Sequence, residues 1–577
     1  PTAAEPLYGI YPLIIGTLLV TLGAMVFSVP LSIGCAIYIS ELASPRVKQF
    51  LKPAIELLAG IPSVVYGFFG LIILTNFIRV TFDLPTGETW LAASVLLGIM
   101  ALPTIISVSE DAISAVPREY KEGSLAIGAT RWQTISRVIV PAALSGIAAA
   151  IILGIGRAVG ETMAVMMVAG NASIIPEPIW NILSPVRTLT GTLGIEMGEV
   201  AVGSEHYSAL FGVAVVLLLI TLVINLSAVA ILRHLREGRT GSSARRSFIS
   251  PGTRAKLVFA GKMLGLTLLL IFLTAVSWWL GPLVLLGGSL WYAGRPFLSE
   301  KRIQVIAFGL IALATLAVLV ILVIILQDIV VNGLPALSWE FLTQPPKDLG
   351  RAGGIYPAIV GTLCLVTGAI ALALPLGVGA AIYLVEYTRE GRITRLIRTG
   401  VDLLNGTPSI VFGLFGFAFI VLYLNVGVSM LAGQVTLALM VLPTIIRTTE
   451  ESLKNIPQAL REGSLALGAT KWQTISRVVL PPAVPGIVTG SILSIGRAAG
   501  ETAPIMFTAV VFSQRFLPDS VFEPVMALPY HLFILATNVP GASTNQYGTA
   551  LVLLIMVVGF YSVAIFVRTH FQNKARG

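Results

Sequence analysis

The sequence predicts an all-α polytopic membrane protein made of two parallel, pseudo-symmetric halves of five to six helices each. Three observations predict it. Of the 577 residues, 56% are hydrophobic and only 11% charged, with a mean hydropathy of +0.90, whereas soluble domains carry about a quarter charged residues. Apolar runs such as 303–331 and 207–232 exceed the ~20 residues that a spanning helix needs. Residues 122–141, EGSLAIGATRWQTISRVIVP, return at 462–481 as EGSLALGATKWQTISRVVLP, with four conservative changes in twenty positions.

Along the chain, spans are expected at about 10–39, 55–80, 90–108, 139–168 and 207–232. The repeated loop follows the third, and a mildly acidic stretch, 170–208, follows the fourth. The fifth span runs into RHLREGRTGSSARRSFISPGTRAK, a basic, Gly/Ser-rich linker. The plan then repeats: GIYPLIIGTLLV (9–20) matches GIYPAIVGTLCL (354–365), and PSVVYGFFG (62–70) matches PSIVFGLFG (408–416). Three segments follow: a first half at 1–236, a basic linker with a hydrophobic hairpin (257–293) at 237–302, and a second half at 303–577. A parallel repeat puts both loops on one side, so an odd number of crossings must separate the halves. The span at 303–331 plus a two-span hairpin or a re-entrant segment at 257–293 satisfies this. With the hairpin, the chain has about thirteen spans and Pro1 lies outside.

The net charge of +9 comes from Lys and Arg in short loops beside spans. That is the positive-inside pattern and implies the lipid bilayer, with no nucleic-acid partner; the repeated loops are then cytoplasmic. Cys35 and Cys364 lie in apolar runs without a CxxC or Cys/His cluster, so no metal site or disulfide is expected. His206, His234, His531 and His570 read as surface residues. No GxxxxGK[ST] phosphate loop occurs, so any ATP-driven work belongs to a partner. No catalytic residue is expected on this chain.

Each repeated loop reads as two short helices around a turn. Pro117 and Pro457 suit a first helical turn, Gly128 and Gly468 suit the left-handed residue that stops it, and Thr130 and Thr470 can cap the next helix. That helix places Trp132, Ile135 and Val138, or Trp472, Ile475 and Val478, on one face. Such a helix can dock into a groove on a partner or lie on lipid headgroups; two near-identical copies favour docking. E-G-S, three residues, Gly, nine residues and V-x-[VL]-P resembles the EAA loop of ABC-importer permeases. Glu122, Gly128, Glu462 and Gly468 match it, with Gly123-Ser124 and Gly463-Ser464 in place of Ala-Ala. The resemblance implies that Glu122, Gly123, Gly128, Trp132, Glu462, Gly463, Gly468 and Trp472 couple to ATPase subunits, which bring ATP and Mg.

The fourth span of each half contains LGIGRAVGETMA (153–164) or LSIGRAAGETAP (493–504). A mid-bilayer arginine costs ~2.5–3.5 kcal/mol on insertion scales, so Arg157 and Arg497 need a reason. Glu161 and Glu501 follow one turn later on the same face. The pairs either brace the bundle or leave a guanidinium fork lining the path of an oxyanion. Arg447 replaces Ser107 in the second half only, nearer the cytoplasmic end. Glu56 and Asp402 occupy matching places and read as interfacial ion-pair partners. G-R-A-[VA]-G-E-T in both halves with R-T-T-E in the second resembles the phosphate-specific transport permeases, the first half PstC-like and the second PstA-like, fused. By that resemblance the chain has type I (MetI-like) ABC importer architecture in the bacterial inner membrane, and Arg157, Glu161, Arg447 and Arg497 are associated with phosphate passage, Glu501 by symmetry. The implied partners are two ATP-binding cassette (PstB-like) subunits and an extracytoplasmic phosphate-binding (PstS-like) protein. A permease for sulfate or molybdate, or a secondary transporter driven by an ion gradient, are the alternatives.

Overall fold

The computed structural model describes residues 8–237, 299–389 and 391–576. In chain order the first half comprises α1 (Tyr11–Leu42), α2 (Pro45–Gly60), α3 (Ser63–Thr81), α4 (Trp90–Ser114), α5 (Arg118–Ala126), α6 (Arg131–Gly160), α7 (Met163–Val168), α8 (Leu189–Glu196) and α9 (Glu205–Glu237). Then come α10 (Glu300–Ala336), a two-residue antiparallel β-ribbon (β1 Pro346–Lys347, β2 Ala352–Gly353), and the second half. It comprises α11 (Tyr356–Tyr387), α12 (Arg392–Asn405), α13 (Ser409–Tyr423), α14 (Met430–Lys454), α15 (Gln458–Ala466), α16 (Lys471–Gly500), α17 (Ala503–Met506), α18 (Leu528–Asn538) and α19 (Ser543–Arg576).

Among the described residues ten helices are long and apolar enough to cross a membrane, and the pair α12–α13, bent by 104°, is an eleventh candidate. Eleven of the thirteen expected spans therefore have a counterpart. The hairpin at 257–293 and most of the basic linker lie outside the described residues, and α10 begins at Glu300, three residues before the expected boundary. Two expected spans are broken in each half, as the first half shows. Pro62 pushes Ile61 to an extended conformation (ψ 127°), which splits 55–80 into α2 and α3. Glu161 is likewise extended (ψ 131°), so α6 stops at Gly160 and 139–168 is not one helix.

Within each half three spans pack side by side: α1 along α4 and α4 along α6, then α11 along α14 and α14 along α16. The repeated G-T in GIYPxxxGT explains how the loops before α8 and α18 close over them. At Gly16 a Cβ would come within 2.3 Å of the Arg187 carbonyl oxygen, and at Gly361 within 2.0 Å of that of Met526. Only glycine admits that approach. The adjacent Thr17 hydroxyl accepts from the Leu189 N–H at 3.0 Å, and that of Thr362 from Leu528 at 2.9 Å. One dipeptide thus docks and caps the start of α8 or α18.

The halves interlock. α10 packs along α1 of the first half and α19 of the second. Asn225 on α9 stands against Gly406 of the second half, and Tyr561 on α19 against Gly60 of the first. Of the histidines expected at the surface, His531 is instead buried in α18, its Nδ1 3.0 Å from the Phe512 carbonyl and its ring stacked on Phe512. His206 is half-buried, 2.8 Å from Glu196. His234 and His570 lie outside the residues whose side chains are described.

Candidate functional site

Both repeated loops fold alike. Pro117 and Pro457 stand just before α5 and α15 as N-caps, one residue outside the expected first turn. Gly128 (φ +87°) and Gly468 (φ +83°) take the left-handed conformation that ends those helices. Thr130 and Gln133, and Thr470 and Gln473, form reciprocal capping boxes that start α6 and α16. Inside each loop the hydroxyls of Ser124 and Thr134 meet at 3.0 Å, and those of Ser464 and Thr474 at 2.9 Å. An ion pair ties each loop to the end of the first core span of its half: Lys121 to Glu41 at 2.5 Å and Arg461 to Glu386 at 2.8 Å.

The face expected to dock divides. Ile135 and Ile475 are buried against their own half. Trp132 is half-buried, its ring edge-on to Phe308 of α10 at 6.4 Å, whereas Trp472 is 62% exposed. Glu122, Gly123, Glu462 and Gly463 are exposed, and a Cβ at either glycine would meet nothing within 4 Å. The most prominent apolar groups at the tips are Ile127 and Leu467, 87% and 90% exposed. Periodicity passes them over, because they sit in the turn before the glycine and belong to no helical stripe.

Each loop continues without a break into a 30-residue helix, about 45 Å long at 1.5 Å per residue, with one wide π-helical turn at Ile135–Ile139 or Ile475–Val479. Near its far end stands the arginine of the GRA-GET motif. Arg157 donates to the Thr104 hydroxyl of α4 at 3.1 Å, and Arg497 lies 3.6 Å from Glu501. The expected pairing is therefore met in one half. In the first, Glu161 makes no ion pair with Arg157 among the described residues, although both glutamates stand equally just past the end of their helix. Gly160 meets Pro408 and Gly500 meets Pro62, at 3.4 and 3.2 Å from a hypothetical Cβ, so both GRA-GET ends abut the opposite half. Beyond them a cavity of about 440 Å³ opens between the halves, lined by Met166, Asn171, Glu199, Phe507, Tyr530 and Asn538 among others.

Arg447 does not join the other arginines. It lies toward the loop end of α14, where its Nε donates to Asp402 at 2.6 Å and its Nη1 to Glu450 at 3.2 Å. Glu450 also pairs with Arg398 and Lys454. The first half answers with Glu110, held by Lys48 at 2.6 Å and Lys52 at 2.9 Å. Asp402 is thus an ion-pair partner as expected, but Glu56, its counterpart, is exposed with no ion pair among the described residues.

A model of the family described as "binding-protein-dependent transport system inner membrane component" matches residues 28–240 and again 373–577. Over 587 aligned residues, 95% of this chain and 84% of the relative, the sequence is 26% identical to the phosphate transport system permease protein PstA homolog of Mycoplasma pneumoniae. It is 42% identical over 239 residues to the probable ABC transporter permease protein YqgH of Bacillus subtilis, covering 41% of this chain and 75% of that protein. Over 218 residues it is also 42% identical to the phosphate transport system permease protein PstA 1 of Mycobacterium tuberculosis, covering 38% of this chain and 71% of that protein. With two family matches that cover both helical halves, the chain belongs to the inner membrane components of binding-protein-dependent ABC importers, carrying two permease units in one polypeptide.

Proposed function

We propose that this chain is the permease subunit that forms the translocation path of an ATP-driven phosphate importer, its first half PstC-like and its second PstA-like. The observation that carries the mechanism is the unbroken helix from each exposed loop to Arg157 or Arg497. In this reading the loops face the cytoplasm, and each docks one ATP-binding cassette subunit through Glu122, Gly123, Gly128 and Trp132 or Glu462, Gly463, Gly468 and Trp472. When ATP draws the two subunits together, the loops approach each other. The ties Lys121–Glu41 and Arg461–Glu386 pass that movement to α1 and α11. α6 and α16 then tilt as levers, parting the Gly160–Pro408 and Gly500–Pro62 contacts and opening the path outward to an extracytoplasmic binding protein.

Arg157 and Arg497 suit an oxyanion because a guanidinium offers planar paired donors. Thr104 and Glu501 hold them in place until phosphate arrives. Glu501, beside Arg497, competes with the anion for that guanidinium and keeps it from resting there too long. Arg447, about 10 Å from the end of α14, belongs to the inner end of the path, where Asp402 holds it in the resting state. The printed names of the relatives support phosphate among oxyanions. The test is uptake of labelled phosphate into vesicles that contain this chain with its ATPase subunits and binding protein. ATP-dependent uptake that excess sulfate and molybdate leave intact is expected. Competition by sulfate or molybdate at equal concentration overturns phosphate as the cargo, and uptake without any ATPase subunit overturns the ABC mechanism.

A further inference from the structure

We propose that α12 is a docking surface for anionic phospholipid on the loop side of the membrane, with its apolar face among acyl chains and Arg392 and Arg395 on headgroup phosphates. The inference does not depend on what the permease carries.

The helix turns 104° from α13, so it lies across the spans instead of along them. Its residues sort into two faces at helical spacing. Thr394 and Val401 are buried and Arg398 reaches Glu450, which fixes the side that meets the protein. Ile393 and Leu396, 75% and 72% exposed, are joined by Ile397 and Leu404 on a face that no other part of the described residues covers. In water that face would be a standing cost, because contiguous exposed apolar surface marks an interaction site. At a bilayer it is satisfied by acyl chains. Tyr383 and Tyr387, stacked and exposed at the end of α11 just before α12, are the residue type that collects at water–lipid boundaries.

The charge selects the lipid. Arg389, Arg392 and Arg395 are exposed and make no ion pair among the described residues. The acid on the same helix, Asp402, is already held by Arg447. In the first half the matching helix α2 is different. Lys48 and Lys52 are taken up by Glu110 and Asp111; burial opposes the charge on Lys52, yet the bonds to those acids hold its ammonium above the ordinary lysine value. Only Arg46 of α2 remains exposed without such a partner. A row of guanidiniums without ion pairs beside an uncovered apolar face complements an anionic headgroup joined to its acyl chains, and among the described residues α12 presents it where α2 does not.

The full chain in neutral detergent, titrated with phosphatidylglycerol or phosphatidylcholine and read by native mass spectrometry, tests this. Phosphatidylglycerol should bind more tightly, and its affinity should fall with ionic strength. R392Q/R395Q should weaken it about 30-fold, taking each arginine at its usual worth against an anionic surface, while Arg46→Gln changes it no more than a few-fold. Thermal unfolding in lipid-free detergent shows whether the double variant folds; if it does not, R392Q alone should still weaken binding several-fold. Equal affinity for the two lipids, or phosphatidylglycerol binding undiminished in R392Q, overturns the proposal. Inorganic phosphate displacing the lipid at equal concentration would assign the arginines to the free ion, and displacement by an ATPase subunit would assign the face to protein; either result also overturns it.

Discussion

Glu110 and Glu450 occupy equivalent positions at the loop ends of α4 and α14, and both are almost completely buried. Glu110 is neutralised by two lysines of α2 that are themselves more than a third exposed. Glu450 is neutralised by Arg398 and Arg447, which are less exposed, and by Lys454 from its own helix. Arg447 brings Asp402 into the cluster, so α12 is clamped to α14 by a five-membered ionic network. The first half, with Ser107 and with Glu56 in no ion pair among the described residues, has a two-lysine clasp on Glu110 and Asp111. Two halves that share a loop almost letter for letter therefore hold the neighbouring helix with different strength. Lysines that can swing into water make a joint that opens at little cost; arginines fixed on two carboxylates make one that does not. The second half is the stiffer arm.

The largest effect should come where the halves are alike. Arg157→Gln and Arg497→Gln are each expected to reduce phosphate uptake on the order of a hundredfold, as loss of a charge-stabilising donor does, with assembly intact by gel filtration. If Arg157→Gln alone is tolerated, the path runs past the second half only. Next, Gly128→Val and Gly468→Val force a β-branched residue into a left-handed conformation, a strain of about 1–3 kcal/mol. Either should sharply lower binding of the ATPase subunit and ATP-driven transport. Full ATPase binding by both variants would remove the loops from the coupling role.

The ionic clusters separate the halves directly. Glu450→Ala removes the buried carboxylate that Arg398, Arg447 and Lys454 share and should destabilise by about 2–3 kcal/mol. Glu110→Ala frees two lysines that can turn to solvent, and about 1 kcal/mol is expected. Thermal unfolding of the two variants in the same detergent compares them. Equal losses would mean that the extra arginine and Asp402 add no stiffness.

What the sequence disclosed follows from range. Gly128, Thr130 and Gln133 act within a few residues of one another, so their roles are legible from spacing alone. Pro62 could have been read as a break by the same local reasoning, and the apolar run around it masked that signal. The capture of Arg447 was not legible, because Asp402 reaches it only through the bend between α12 and α13, which brings residues 45 positions apart into contact. Helical spacing also suggested one face for Arg157 and Glu161, yet Arg157 turns to Thr104 of α4, a contact 53 positions away in sequence; the backbone is extended at Glu161 and Glu501 alike, so the helix end does not separate the halves. Ile127 and Leu467 were hidden for the opposite reason: their prominence comes from a turn, where no period applies.

The smallest effect tests the loops themselves, which are nearly identical in sequence but not in surroundings. Trp132 rests on Phe308 of α10, a helix that has no counterpart among the described residues of the first half, while Trp472 has no such cover. Trp132→Ala should therefore cost stability, about 1–2 kcal/mol for a half-buried ring and its edge-on partner. Trp472→Ala should fall within about 0.5 kcal/mol of the parent, as exposed substitutions do. If both tryptophans nevertheless insert into ATPase subunits, the order reverses in a binding assay: Trp472→Ala should weaken ATPase affinity about tenfold, as loss of an aromatic anchor does, and Trp132→Ala should weaken it less, since part of its ring is already committed to Phe308. Phe308→Ala then discriminates. It should lower stability like Trp132→Ala while leaving ATPase affinity unchanged or improved, because it releases the ring. A parallel loss of stability and of affinity in Phe308→Ala would instead show that α10 is part of the docking platform, and that the two coupling contacts differ in architecture as well as in strength.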